Sequence, residues 1–498
     1  MNKLDLNLYP ELKSDLKIKV MQFGEGNFLR GFIDWMVYKL NQQGLFNGRI
    51  LAIQPTPRGR VLPKLLEQDC LYTTILHGIK DGKEVEEIER INSIAAGLNP
   101  YTQWPQVLEA ATSPDLQFIF SNTTEAGITY DKCDYSETNA PLSFPAKLTI
   151  VLYARFKAFK DKCQCGGGLT IMPCELLDDN GTKLKNIVLQ HAADWNLGDE
   201  FKAYLEEDCR FLNTLVDRVV SGYPVALAQE YEQKLGYSDS LMTCGETFGF
   251  MAIEGDATVE ELLPFAKGGL NVVTAPDITP YRLRKVRILN GAHTSNVPAA
   301  FLAGLDTVDQ MMAHPITGPF VRSVVFDEII PAVNLDKGML QSFAEDVMNR
   351  FADPSMHHQL ASILMNCTSK VKARVIPSIL DARAKGVLPK KLCFALAAYM
   401  ALYAKADGVP VKVQRAEGKS GEFNDDAYAV EALTKAWQSY QKTEASALFT
   451  VKAVLSDTKL WGSDLSSDVD LTACTAKLTH AVITDGVLPT MQALLEQN

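Results

Sequence analysis

This chain has no excess of positive charge, no long apolar run and no cluster of cysteines, and each absence removes a class of function. Lys and Arg number 49 against 60 Asp and Glu, for a net charge of -11. A nucleic-acid partner normally needs a concentrated basic face, so none is expected. No stretch approaches the roughly 18 apolar residues of a membrane span, so no membrane partner is expected either. The opening segment, MNKLDLNLYPELKSDLK, lacks the apolar core of a secretion signal, and the expected location is the cytoplasm. The 10 cysteines are dispersed and fit reduced, mostly buried thiols. Their one close pair, Cys163-Gln-Cys165, has no His or second pair near it at zinc-site spacing, so no metal is expected. Internal repeats and low-complexity tracts are also missing.

What is present reads as an ordinary globular protein of 498 residues, 47% hydrophobic and 22% charged, too long for a single core. The fold class expected is α/β, with two domains. Lys17-Ile-Lys-Val-Met-Gln-Phe23 is a short apolar run that ends in Gly24-Glu-Gly26-Asn27-Phe28-Leu-Arg30-Gly31 and an amphipathic segment, 32–40. Strand, glycine turn and helix open a dinucleotide-binding βαβ unit, in which glycines admit a pyrophosphate and the helix N-terminus faces its charge. Phe23, Gly24, Gly26, Asn27 and Phe28 are its candidate contacts, and Arg30 is a candidate for a phosphate oxygen. Leu29 replaces the third glycine of the usual pattern. A second strand, 49–53, ends in Gln54 where an NAD site usually has an acid. An amide still serves a ribose hydroxyl, but Arg58 and Arg60 suit a 2′-phosphate, so the lean to NAD leaves NADP open. A further strand, 116–120, ends in Ser121-Asn-Thr123-Thr-Glu125, polar residues at the carboxyl end where ligands of such sheets sit. Thr123 and Glu125 therefore join the candidates. Strands are also read at 168–172 and 248–254.

After Pro276 helical periodicity takes over, at 326–333, 341–351, 360–373, 391–405, 427–440 and 478–497, with one long loop at 406–425. The expected division is a Rossmann-type NAD-binding domain over 1–276 and a mostly helical substrate domain over 277–498.

The stretch Thr279-Pro-Tyr-Arg282-Leu-Arg284-Lys285-Val-Arg287-Ile-Leu-Asn290-Gly-Ala-His293 carries the chemistry. Thr279 and Pro280 suit a helix start. At about 100° per residue, His293 lies roughly 80° and Asn290 roughly 140° round from Lys285. An ammonium, an amide and an imidazole facing one cleft can protonate a carbonyl as it becomes an alkoxide. Asn290-Gly291 is also a pair that often ends helices; if the helix stops there, the angular argument reaches only Asn290. A free Lys titrates near 10.4, so burial and the cations Arg282, Arg284 and Arg287 are the expected means of lowering it, unless they are solvated helix-face charges. His357-His358 is given no role, since neighbours on a helix diverge by about 100°.

Together, Gln22 to Gly31, Cys174 through Asn180-Gly181, Val216-Asp-Arg-Val-Val-Ser221, and Lys285 with Asn290 and His293 resemble the mannitol dehydrogenase family of polyol-specific long-chain dehydrogenases. The resemblance spans the chain, with Cys209 one departure from the family signature. It implies a Rossmann-type first domain, a helical second domain and metal-independent hydride transfer with NAD. It also implies Lys285 as general acid/base, Asn290 and Asn180 as donors to the substrate oxygen, and His293 as a substrate-orienting group. Lys370 matches a further family lysine. Ser362 stands where polyol-active members carry Arg, and Arg282 where some carry an acid. Segments 22–35, 121–128, 210–224 and 285–294 look most like the branch that reduces a keto-hexuronate to an aldonate. The carboxylate of such a small-molecule substrate wants a cation, for which Lys370 and Arg374 are the candidates. The alternatives are another hexuronate reductase or a polyol dehydrogenase of the same family, and a nucleotide-binding regulator without turnover.

Overall fold

The computed structural model describes residues 1–80, 83–160 and 167–497. The Cys163–Cys165 pair therefore lies outside the described residues. The chain divides into two compact units, one of residues 1–78 and 85–279, the other of 79–84 and 280–498.

The first unit is built on a six-stranded sheet. Its strands are β1 (Ile18–Phe23), β2 (Arg49–Ile53), β3 (Ile94–Leu98), β4 (Phe118–Ser121), β5 (Thr170–Pro173) and β6 (Arg210–Phe211). They lie in the order β3-β2-β1-β4-β5-β6, and every pair is parallel. That is the doubly wound Rossmann order, with the switch point between β1 and β4. Strand alternation divides the core between two clusters. Val20, Ile50, Phe118 and Phe120 enter one, while Met21, Phe23, Leu51 and Ile119 enter the other, as expected for a sheet buried on both faces. The early α/β pattern was thus borne out.

Two smaller sheets follow, built largely from residues of the same unit. One orders Val220–Gly222, Thr243–Glu246, Tyr72–Lys80 and Lys83–Ile91; the other orders Val272–Ala275, Phe250–Glu254 and Thr214–Asp217. The strand read at 248–254 therefore belongs outside the parallel sheet, and the paired strands of 72–91 escaped the periodicity analysis. Lys83–Ile91 is mostly charged and half exposed, so it carries little hydrophobic signal.

The second unit is helical. Lys390–Ala401 is buried on every side from Lys391 to Ala401, the pattern of a central helix. It is packed against Val469–Thr484 and Gly291–Leu302. The expected loop at 406–425 holds an antiparallel ribbon, Val411–Gln414 with Ser420–Phe423. No helix among the described residues is long and apolar enough to cross a membrane.

Candidate active site

The helix carrying Lys285 does not end at Asn290-Gly291. It runs as Thr279–Arg284, a π-helical turn Lys285–Asn290, and Gly291–Leu302. Its first free N–H, on Thr279, is taken by the Asp277 carboxylate at 2.8 Å, so the cap comes from Asp277 rather than from the Thr279 hydroxyl. In the π turn the Gly291 N–H reaches back to Val286 O, five residues earlier. That register changes the angular argument. An α-helix would leave Asn290 about 140° from Lys285, whereas i→i+5 bonding stacks it one turn above, with His293 three residues further along the same face. Lys285 and Asn290 are both half-buried. The side-chain amide of Asn290 has no hydrogen-bond partner among the described residues, while its backbone carbonyl accepts from Thr294 Oγ1 at 2.8 Å.

A second π turn, Val371–Val375, packs against the first. Pro377, just beyond it, has no N–H to offer the Ala373 carbonyl, a local reason for the shift in register. This segment brings Lys370 and Arg374 to His293. Arg374 Nη1 donates to Thr294 Oγ1 at 3.3 Å, and Lys370 Nζ donates to Ile363 O at 2.8 Å. The His293 ring stacks on Phe351 at 4.1 Å between centroids and meets the His358 ring edge-on at 5.4 Å. Burial holds the His293 imidazole well below its ordinary pKa, helped by the nearby charges of His358, Arg350, Arg374 and Lys370. Its Nε2 is buried without a partner. A neutral imidazole among basic groups can donate at one nitrogen and accept at the other. Burial, and then Arg374, also lower Lys370. The site is therefore basic. The carboxylate acting on Lys370, Asp425, already accepts from Thr368 N, Thr368 Oγ1 and Tyr403 Oη.

Of the arginines flanking Lys285, Arg284 and Arg287 are buried and Arg282 is half-buried. Arg287 is 4% exposed and pairs with Asp381, while its Nη1 donates to Ser378 Oγ at 2.8 Å. Burial lowers its pKa to about 10. Arg284 lies over the Phe343 ring at 4.3 Å. Both fasten the helix to its neighbours.

In the first unit, the turn after β1 shows which glycines matter. Gly24 has φ +125°, and a Cβ there would stand 3.0 Å from Leu29 Cδ1 and 3.1 Å from Asn122 O. Gly26 heads the helix Asn27–Gly31 in extended conformation, φ -70° and ψ 173°, and a Cβ there meets nothing within 4 Å. That open space over N–H groups fits a phosphate-bearing ligand. The close packing usually granted by a third glycine falls to Gly31, whose Cβ would strike Val220 at 2.9 Å. Asn27 is exposed and Phe28 half-buried beside the turn.

Arg30 is not available to a phosphate. It is 2% exposed, and its guanidinium donates to Glu25 O, Asn27 Oδ1 and Thr243 Oγ1 beneath the turn. Phe23 points into the core against Phe144, so only its backbone borders the turn. Gln54 is buried, with Nε2 folded back on Thr56 O at 2.7 Å; Arg58 and Arg60 beyond it are exposed. Thr123 is held by Glu175, whose carboxylate accepts from Thr123 N, Thr123 Oγ1 and Ser121 Oγ. The Glu125 side chain lies outside the described residues. Asn180 is the other correction. Its amide is fully buried, donates to Pro173 O at 2.9 Å and Glu175 O at 3.1 Å, and accepts from Gly181 N and Thr214 N. It braces the end of β5 and has no donor left for a substrate oxygen.

Glu175, Arg218 and His358 were given no individual role from the sequence, and the structure places Glu175 under Thr123, Arg218 under the Gly31 turn and His358 against His293. Arg218 is 7% exposed; it donates to Gly31 O, Thr247 O and Phe248 O and lies over Trp35. An Arg inside an apolar stretch was the signal for it. No spacing rule links His358 to His293.

Comparison with known proteins places this architecture. Residues 18–267 match the mannitol dehydrogenase Rossmann domain and residues 277–483 the mannitol dehydrogenase C-terminal domain. The chain belongs to the mannitol dehydrogenase family. As a member it is an oxidoreductase acting on CH–OH groups. Two similar relatives are the altronate oxidoreductases of Halalkalibacterium halodurans and Bacillus subtilis. The first is 42% identical over 494 residues, 99% of this chain and 96% of the relative. The second is 40% identical over 499 residues, 100% of this chain and 98% of the relative. Among solved structures, Pseudomonas fluorescens mannitol 2-dehydrogenase, a ternary complex with NAD and D-mannitol, aligns at TM-score 0.68 and 20% identity over 100% of both chains. A substrate-free D-sorbitol dehydrogenase aligns at TM-score 0.77 and 19% identity over 99% of this chain and 100% of that one. At those identities the likeness is one of fold.

Proposed function

We propose that this chain is a cytoplasmic enzyme that interconverts D-tagaturonate and D-altronate with NAD(H). The observation that carries the reading is the basic cluster at His293, where Lys370 and Arg374 approach along one helical segment and the His358 ring stands edge-on to the imidazole. A hexuronate brings a carboxylate to those cations, whereas a neutral polyol brings none. The altronate oxidoreductases, similar over nearly their whole length, support the same substrate class.

The glycine turn, Gly24 to Asn27, would hold the pyrophosphate of a dinucleotide, which would supply the hydride from its nicotinamide. In the reductive direction Lys285 gives a proton to the alkoxide forming at the former keto carbon, and in the oxidative direction it takes one from the hydroxyl. Asn290 directs its unengaged amide at that oxygen, and His293 orients the neighbouring hydroxyls. Lys370 and Arg374 hold the carboxylate. General acid–base assistance of this kind contributes about 10²–10⁴-fold, and one donor to the oxyanion about 10²–10³-fold.

One plate of NADH and NADPH oxidation assays tests the reading against tagaturonate, fructuronate, fructose and fructose 6-phosphate. Tagaturonate with NADH is expected to turn over fastest. Rapid reduction of fructose with neither hexuronate accepted would overturn the substrate, and faster turnover with NADPH would overturn the cofactor.

A further inference from the structure

We propose that His358 is a specificity-determining residue: it binds the anionic end of the substrate beside Arg374 and Lys370, and so selects sugar acids over neutral sugars. The inference rests on the hexuronate reading above and adds to it a residue that the sequence argument set aside.

Three observations point to it. First, the His358 ring faces His293 edge-on at 5.4 Å, although the residue as a whole is exposed. It therefore stands at the exposed edge of the basic cluster around the imidazole. Second, the backbone around it is pinned. Its carbonyl accepts from Val308 N at 3.0 Å, Gln359 bridges Thr307, and Leu360 N donates to Asp306 O at 2.9 Å. The preceding His357 is held in the left-handed region at φ +41°, a conformation that costs energy for a non-glycine residue and persists where the surroundings enforce it. Third, the ring makes no hydrogen bond among the described residues, whereas Lys370 is committed to Ile363 O and Arg374 to Thr294 Oγ1. Lys370 and Arg374 keep further N–H groups for the same anion, and the His358 ring adds a donor that no described residue engages.

A carboxylate and a phosphate ester share the chemistry that such a group recognises, an anionic oxygen accepting from an N–H. The test separates them. Initial rates of wild type, His358→Ala and His358→Arg are measured with tagaturonate, fructose and fructose 6-phosphate. Binding of D-altronate and of inorganic phosphate to the full chain is measured alongside by calorimetry, without turnover. In His358→Ala the ratio of kcat/KM for tagaturonate over fructose is expected to fall about tenfold to a hundredfold, the loss of one hydrogen bond to a charged group. The change should fall mainly on KM, altronate binding should weaken in parallel, and His358→Arg should restore both. An unchanged ratio with normal tagaturonate turnover overturns the role of His358 and leaves the proposed function standing. No tagaturonate turnover, but altronate binding that depends on His358, overturns the function and supports the residue. Selectivity for fructose 6-phosphate, with phosphate binding lost in His358→Ala, keeps His358 as the anion contact and makes the anion a phosphate ester.

Discussion

Two alanine substitutions two residues apart, Gly24→Ala and Gly26→Ala, separate what the turn after β1 does for folding from what it does for binding. At Gly24 the new Cβ sits 3.0 Å from Leu29 Cδ1 and 3.1 Å from a carbonyl oxygen, on a backbone at φ +125°. Strain of that kind costs about 1–3 kcal/mol, and each kcal/mol lowers Tm by about 2–4 °C in a domain of this size. At Gly26 the Cβ meets nothing within 4 Å, and φ is -70°, so stability should hold or rise by up to about 1 kcal/mol. The methyl would nevertheless occupy the approach to the first N–H groups of Asn27–Gly31. Losing one charge-assisted hydrogen bond there corresponds to about a tenfold rise in the Kd of NADH. The assay is a fluorescence titration of NADH into the purified full chain, beside thermal unfolding without ligand. A folded Gly26→Ala variant whose NADH affinity stays within about twofold of wild type would refute the placement of the dinucleotide at this turn.

Lys285→Ala should lower kcat by about 10²–10⁴-fold with little change in KM, measured by steady-state NADH oxidation, because the proton is needed in the transition state rather than for binding. Asn180→Ala should destabilise the protein by about 1–3 kcal/mol in thermal unfolding, since it strips Gly181 N and Thr214 N of the buried oxygen they donate to, while Pro173 O and Glu175 O keep Thr214 Oγ1 and Leu177 N. Burial raises the Glu25 carboxyl from 4.5 to about 7. Its contribution to stability is thus present below pH 4.5 and lost as pH rises toward 7. Glu25→Gln should therefore flatten the pH dependence of Tm and be the more stable form at pH 8, by no more than about 3 kcal/mol. An unaltered slope between pH 5 and 7 would remove that explanation.

What the sequence determined by itself is local and periodic. The apolar run ending at Phe23, with two glycines and an amphipathic segment after it, specified the βαβ opening, because strand alternation and turn chemistry are written within a few residues of each other. Buried strands and central helices were legible for the same reason. The tertiary structure decided what each polar side chain is for. Arg30 and Asn180 carry donors suited to a ligand, but packing turned both inward onto backbone carbonyls, where a buried unpaired group would be costly. The π turn at Lys285–Asn290 shifted the helix register, which no 100° periodicity anticipates, and so stacked Asn290 over Lys285. His358 reached His293 only because a pinned loop returns it across the sequence. Spacing along a chain reports neighbours on one element; which elements share a pocket is settled by how the cores close.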